Sequence, residues 1–397
     1  MVDTFRLISF GKKAMPWTEK SVKNQRQEFV LLARMAGANL SELSRRFGIS
    51  RPTAYKWLER FEPRAADGAL GDLSRRPANS PNRSSPQLEG RVLELRSQHP
   101  AWGARKIARL LLTEQQVQVA PSTVNSILKR HGLISEQASQ ASKAWQRFEH
   151  CAPNELWQID FKGHFALDKG RCHALTAIDD HSRYSVVLKA LRQETRDDVQ
   201  KALTEAFERY GMPRRINADN GPPWGSHVRI DNRRPLTQLG VWLIRLGIDL
   251  SHSRPMHPQT NGKDERFHRT LKAELISRQH LLDIAHTQRE FDAWRHVYNH
   301  RRPHEALQLQ TPSQRYSASK RSFPGNLPNI EYEPGDWIRK VDETGRLSFK
   351  GHEVRVGKAL YGYPVAIRAN PTADGLWSVY FCHARIARLD LTDRVAN

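Results

Sequence analysis

Cysteine is scarce in this chain: Cys151, Cys172 and Cys382 stand alone. They form neither a Cys-x-x-Cys pair nor a disulfide framework, which fits a reducing compartment and speaks against structural zinc. Long apolar runs are missing as well. The stretch "MVDTFRLISFGKKAMPW" has only a short apolar run before Lys12 and Lys13, less than a secretory signal requires. The later "GVWLIRLGI" is broken by Arg245 and falls far below membrane-spanning length. No Gly-rich loop ending in Gly-Lys-Ser/Thr offers a cradle for nucleotide phosphates, and His252, His257 and His268 make no His-Glu-x-x-His arrangement. The chain is therefore expected to be cytoplasmic, off the membrane and without a nucleotide cofactor. Negative charge is in short supply too. There are 42 Asp and Glu against 63 Lys and Arg, a formal net charge of +21.

That positive excess is uneven. Residues 1–150 hold 25 Lys and Arg against 13 Asp and Glu, so over half of it lies in well under half of the length. A polyanionic partner follows, with nucleic acid foremost because phosphate neutralisation scales with cationic contacts. The plainer alternatives are a solvated basic surface or a membrane-surface binder. A length of 397 residues predicts two to four domains.

The pattern along the chain divides it. In "NLSELSRRFGISRPTAYKWLERF", Leu40, Leu43 and Phe47 fit one short helix. Gly48 breaks it, Ser50 caps a second helix, and Pro52 sits in that helix's first turn. Residues 1–61 thus read as a helix-turn-helix domain whose second helix turns Arg51, Thr53, Lys56 and Arg60 outward. Any helical hairpin shares this spacing; the basic outer face favours DNA. Residues 62–86, rich in Pro, Ser, Ala and Arg, read as a linker. Residues 87–134 form a second helix-turn-helix candidate, possibly winged, with Pro121 in a first turn and Gly132 as a stop. Its candidate phosphate or base contacts are Ser122, Thr123, Asn125, Lys129 and Arg130. A second linker covers 135–152.

From residue 153 the texture becomes mixed α/β. "LWQIDFKGHF" alternates, with Trp157, Ile159 and Phe161 on one face and Asp160 on the other. Two more strand-like runs, a helix ending at Gly211, a short strand ending at Asp219 and further helices fill out residues 153–318. A linker is expected over 319–330. The alternating runs of 331–397 read as a small β-barrel.

Three acids draw notice. Asp160 lies mid-strand, Asp219 at a strand end and Glu265 at a helix start within "HPQTNGKDERFHRTLKAEL". Singly, each is an ordinary strand, turn or helix-start acid. Brought together at one sheet edge they would repel unless a cation held them. Hard carboxylate oxygens suit Mg²⁺, and two such ions serve in-line displacement at phosphorus.

"WQIDFKGHF", "NADNGPPW" and "HPQTNGKDERFHRTLKAEL" resemble the three blocks of DDE transposases and retroviral-type integrases, and "YNHRRPHEALQLQTPSQRY" resembles the segment that follows in bacterial insertion-sequence transposases. Helix-turn-helix units ahead of such a core are most similar to the insertion-sequence family numbered 481. The resemblance implies a ribonuclease-H-like core and a metal-binding triad of Asp160, Asp219 and Glu265, holding two Mg²⁺ with Mn²⁺ as a substitute. It puts the third ligand at Glu265, before Arg-Phe, and leaves Asp264 as a helix-start residue on a different face. The interval between the second and third acids is longer than is common, and the extra length around "HVRIDNRRPLTQ" is expected to be a surface insertion.

Arg269 and Lys272 are placed either on DNA phosphates beside the metals or in intrahelical pairs with Glu265. Asp179, Asp180 and Asn220 are candidate supports behind the ligands. The implied partners are double-stranded terminal inverted repeats, target DNA and further copies of the chain, with the protein on the bacterial nucleoid. The rival readings are a domesticated, catalytically inactive DNA-binding regulator and a plain Mg²⁺ nuclease.

Overall fold

A computed structural model describes residues 21–63, 70–72, 83–134, 149–226, 229–230, 233–252 and 262–392. Most of the expected linkers, and the turn "SRPMHPQTN" before Gly262, lie outside the described residues. The chain divides into two compact units, 1–83 and 84–397.

The first unit holds three helices: α1 (Val22–Ala33), α2 (Leu40–Arg46) and α3 (Arg51–Arg60). The side chain of Asn39 caps α2 and that of Ser50 caps α3. Gly48 takes a φ of +64° between them, a turn conformation that costs glycine little. Phe29, Val30, Ala54, Trp57 and Leu70 form the core.

The second unit begins with another three-helix module, α4 (Pro86–Gln98), α5 (Ala104–Gln115) and α6 (Pro121–Arg130). Ile107, Leu111, Val124, Ile127 and Leu128 pack inside it around Trp102.

Five strands follow: β1 (Leu156–Leu167), β2 (Gly170–Asp179), β3 (Ser185–Leu191), β4 (Arg215–Ala218) and β5 (Asp249–His252). They form one sheet in the order β3-β2-β1-β4-β5. β1, β2 and β3 are antiparallel neighbours, whereas β4 and β5 run parallel to β1. Helix α7 (Arg196–Tyr210) makes the crossover from β3 to β4, with Thr195 capping its start. Gly211 ends it at a φ of +74°, and a Cβ there would lie 2.4 Å from the Ser319 carbonyl oxygen. Helix α8 (Gln238–Arg245) precedes β5. Helix α9 (Gly262–Leu271) runs on into a π-helical turn over Lys272–Ile276, followed by α10 (Ile284–His300). One sheet face buries Trp157, Ile159, Leu203, Phe207, Ile216 and Trp242. The other packs Ala174, Ile178 and Leu188 against Phe267, Leu271, Leu275, Phe291 and Trp294 of α9 and α10. This is the ribonuclease-H-like layering expected.

Residues 319–330, read as a linker, lie along the core: Arg321 donates to the carbonyls of Pro213, Leu246 and Gly247, and Phe323 and Leu327 pack on the sheet core. The small barrel expected of the tail needs correction: among the described residues its sheet is open. After the short α11 (Pro312–Arg315) come β6 (Trp337–Lys340), β7 (Arg346–Phe349), β8 (His352–Arg355), β9 (Pro364–Ala369), β10 (Leu376–Phe381) and β11 (Ala384–Asp390). They build an open sheet in the order β11-β10-β9-β6 and a separate β7-β8 hairpin. Alternation marks half-buried strands but does not say whether the last one meets the first. Here α8 supplies Val241 and Ile244 to the tail's core, covering apolar surface that a closed barrel would enclose by itself. The expected surface insertion is drawn into this joint, with Leu236 packed on the same core and Arg233 bonded to the Ile386 carbonyl.

Candidate active site and the helices that face DNA

β1 and β4 pair as far as Gln158 and Asn217. Asp160 and Asp219 lie two residues beyond, on matching faces, because strand side chains repeat every second position. Asp160 Oδ1 accepts the Phe161 N–H at 2.9 Å, and Asp219 Oδ1 accepts the Gly221 N–H at 3.1 Å. Burial raises the Asp160 carboxyl to about 7, and the charges of Asp219, Glu194 and Glu265 add to the shift. Asp219 is raised as well, first by burial. Asp160 is thus the point where carboxylates from β1, the end of β4, the chain before α7 and the start of α9 are felt together.

The two acids that begin α9 part company. Asp264 is completely buried, whereas Glu265 is exposed. Asp264 faces the back of Asp160: its oxygens lie 3.0 and 3.2 Å from the Thr176 hydroxyl, which is also 3.1 Å from the Asp160 carbonyl oxygen. His268 Nε2 lies 2.7 Å from the same hydroxyl and 3.4 Å from Asp264. Ligand atoms of Asp160, Asp264 and His268 all fall within 4.8 Å of one another. Burial, then the Asp160 charge, holds Asp264 well above the usual carboxylate range. Burial and the nearby Lys162 bring His268 down to about 4, so its ring is neutral at neutral pH. A hydrogen on Nε2 lets the ring donate to the hydroxyl, which in turn donates its own hydrogen bond to Asp264.

Asp264 does start the helix on a different face from Glu265, and that face is the buried one. The signal was legible: Asp264, Phe267, Leu271 and Leu275 are spaced three, four and four apart, one continuous buried stripe. Thr176 and Glu194 carried no such mark. Of the candidate supports, Asp179 is buried and holds the Ser182 and Asn154 N–H groups. Asp180 pairs with Lys263, so it grips the first turn of α9.

The basic helix faces are unequal. On α3, Arg51 and Lys56 are exposed, Arg60 is half-buried, and Thr53 shares a hydrogen bond with Ser50. Lys56 and Arg60 lie 5.5 and 5.3 Å from the Trp57 ring centre. On α6, Ser122 and Lys129 are exposed, and Thr123 and Asn125 are half-buried. Arg130 turns instead to Glu89 of α4 in an ion pair. Arg269 and Lys272 are both exposed on α9.

The integrase core domain family matches residues 150–258, and a second integrase core domain family matches 246–312. A helix-turn-helix domain matches 25–78 and a homeodomain-like domain 53–128. Fold and matches together define an integrase-core protein with helix-turn-helix modules ahead of the core. Residues 336–397 match the C-terminal domain of the IS481 family transposases, and together with the core matches this supports a DDE transposase of that insertion-sequence family.

Among its relatives is the insertion element IS407 uncharacterized 31.7 kDa protein of Burkholderia multivorans. It is 27% identical over 244 residues, 59% of this chain and 82% of that one. The insertion element IS476 uncharacterized 39.2 kDa protein of Xanthomonas euvesicatoria is 26% identical, over 67% of this chain and 75% of its own. The Pol polyprotein of feline endogenous virus ECE1 is 29% identical over 48% of this chain and 18% of that one.

Proposed function

We propose that this transposase binds the terminal inverted repeats of its element, cuts them to free a 3′-OH and joins that hydroxyl to target DNA. Asp160, Asp219 and Glu265 would hold two Mg²⁺ ions. The donor set fits hard cations: carboxylates from three separate elements whose charges are felt together at Asp160. Such ions activate the attacking oxygen and stabilise the leaving one in an in-line displacement at phosphorus. The chain's own residues do the rest. The β1 and β4 backbones keep Asp160 and Asp219 adjacent, and the Asp180–Lys263 pair steadies the turn that carries Glu265. Lys162, lowered by burial and then by the nearby Lys272, would line the approach for a phosphate backbone together with that residue. Arg51, Thr53, Lys56 and Arg60 of α3, with Ser122, Thr123, Asn125 and Lys129 of α6, are the proposed DNA contacts. Both ends must be held at once, so assembly of several copies on DNA is expected.

The observation that carries this reading is the gathering of carboxylate charge on Asp160. One observation favours a second ligand set, Asp160, Asp264 and His268, whose ligand atoms already lie close together. End-containing duplexes incubated with Mg²⁺ separate the two. Glu265→Gln is expected to lose cutting and joining, while Asp264→Asn keeps both within about tenfold, as an outer support would. The reverse ranking would move the third ligand to Asp264. Binding without cutting by the unaltered protein would instead point to a regulator, and cutting without joining to a nuclease.

A further inference from the structure

The second helix-turn-helix module meets the catalytic core through polar contacts that lie away from α6. Its contacts come from the α4–α5 loop and from α5. Trp102, 1% exposed, donates from Nε1 to Glu274 Oε1 at 3.1 Å. Glu274 sits in the π-helical turn that ends α9, and its carboxylate also receives Arg302 Nε at 2.9 Å and Trp294 Nε1 at 3.3 Å. A short π-helical segment inside an α-helix often marks a functional position. Beside this joint, Arg301 grips Glu114 of α5 through Nε and Nη2, at 2.6 and 2.8 Å. Arg105 lies 3.4 Å from Glu305, and Val297 of α10 packs against the module's own apolar core.

The joint is thus a half-buried, fully partnered carboxylate flanked by a two-pronged ion pair. It draws donors from the module, from α10 and from the chain after it. Meanwhile α6 keeps Ser122, Ser126 and Lys129 exposed. The helix that receives the module is the one that begins with Asp264 and Glu265. Glu274 lies nine residues beyond Glu265, roughly 14 Å along the axis at helical rise.

Resting on the function proposed above, we infer that the second module is a fixed arm of the catalytic domain. The Trp102–Glu274 and Glu114–Arg301 contacts set the distance from α6 to the acidic site, and hence the position of the strand cut relative to the bases that α6 holds. The connecting segment 135–148 then carries the chain across but does not measure the distance. A flexible tether would leave the cut position to its own length, whereas a docked arm does not.

The test maps the cut on an inverted-repeat duplex with Mg²⁺ to single-nucleotide resolution. Inserting six Gly and Ser residues within 135–148 is expected to leave the position unchanged and the rate within about twofold. Trp102→Phe combined with Glu114→Ala is expected to scatter the cut over several nucleotides and slow it roughly tenfold to a hundredfold, the cost of small misplacement at a reacting centre. End binding should persist. Glu114→Arg, a half-exposed site that now repels Arg301, gives the same result without touching the module's core. An insertion that shifts the cut, or joint variants that cut like the unaltered protein, would overturn the inference. If the unaltered protein cuts nothing, the catalytic reading fails instead. Docking is then judged by calorimetry of the full chain: one shared transition for module and core, split by Glu114→Arg, upholds the arm, and separate transitions in the unaltered protein refute it.

Discussion

Trp57 in the first module and Trp102 in the second are both buried, yet they serve different partners. Arg26 lies 3.9 Å from the centre of the Trp57 ring, with Lys56 and Arg60 further out. That ring gathers cations of its own module, Arg26 being held by the Leu70 carbonyl and Asp72 while Lys56 stays exposed. Trp102 stacks against His99 at 3.8 Å and gives its indole N–H to the catalytic domain. One tryptophan lies under the cations of its own module; the other makes a joint within the chain. Two modules with the same local pattern have thus taken up different work, decided by what lies against them.

The sharpest way to part reading from chemistry is Asp160→Asn. Cutting and joining should fall by at least about a thousandfold, the scale for removing a group that organises charge at the reacting centre. Filter or gel-shift binding of ends through both modules should stay unchanged. Normal joining by this variant would remove Asp160 from the mechanism.

Next in size, Arg130→Ala should destabilise the second module by about 1–3 kcal/mol, because a largely buried Glu89 loses a partner. Thermal melting reads it. A drop in end affinity with no loss of stability would return Arg130 to the list of DNA contacts. In the first module, Arg51→Ala with Lys56→Ala should weaken binding without melting the protein. The salt dependence of the association constant should flatten by about 0.9 per lost phosphate contact. An unchanged slope would mean that α3 faces no DNA.

The smallest expected effect is one of pH. The Asp160 carboxyl, pushed up to about 7 from an ordinary carboxylate value, binds its proton more tightly folded than unfolded. Without divalent ions, the stability it contributes is therefore present at low pH and lost as pH rises toward 7. A melting series in chelator should show that decline, and Asp160→Asn should lessen it. Added Mg²⁺ should oppose it, more strongly at higher pH, because a cation favours the ionised carboxylate. A flat difference between the two proteins would mean that the site does not hold its proton.

Much of the site was legible because its signals are local. Alternation in "LWQIDFKGHF" put Asp160 opposite Trp157 and Ile159, and the strands bear that alternation out. Ser50 announced a helix start by chemistry that acts within three residues. Other features were out of reach. Thr176 gains its role only because β2 brings it under Asp264, 88 positions later in the chain. Glu194 belongs to the site only through the charge it adds at Asp160 and Asp219. The absent barrel closure and the docked insertion share that cause, since α8 covers the tail's core from outside the tail.

The order of residues by itself determined which side chains carry charge, where helices and strands start and stop, and which blocks resemble an integrase-type core. Only the folded arrangement decided which neighbour of Asp160 is sealed from water, that Arg130 holds its own module together, and that Trp102 binds the catalytic domain. Helical and strand periods are set by nearest neighbours along the backbone, whereas burial and charge coupling are set by neighbours across space.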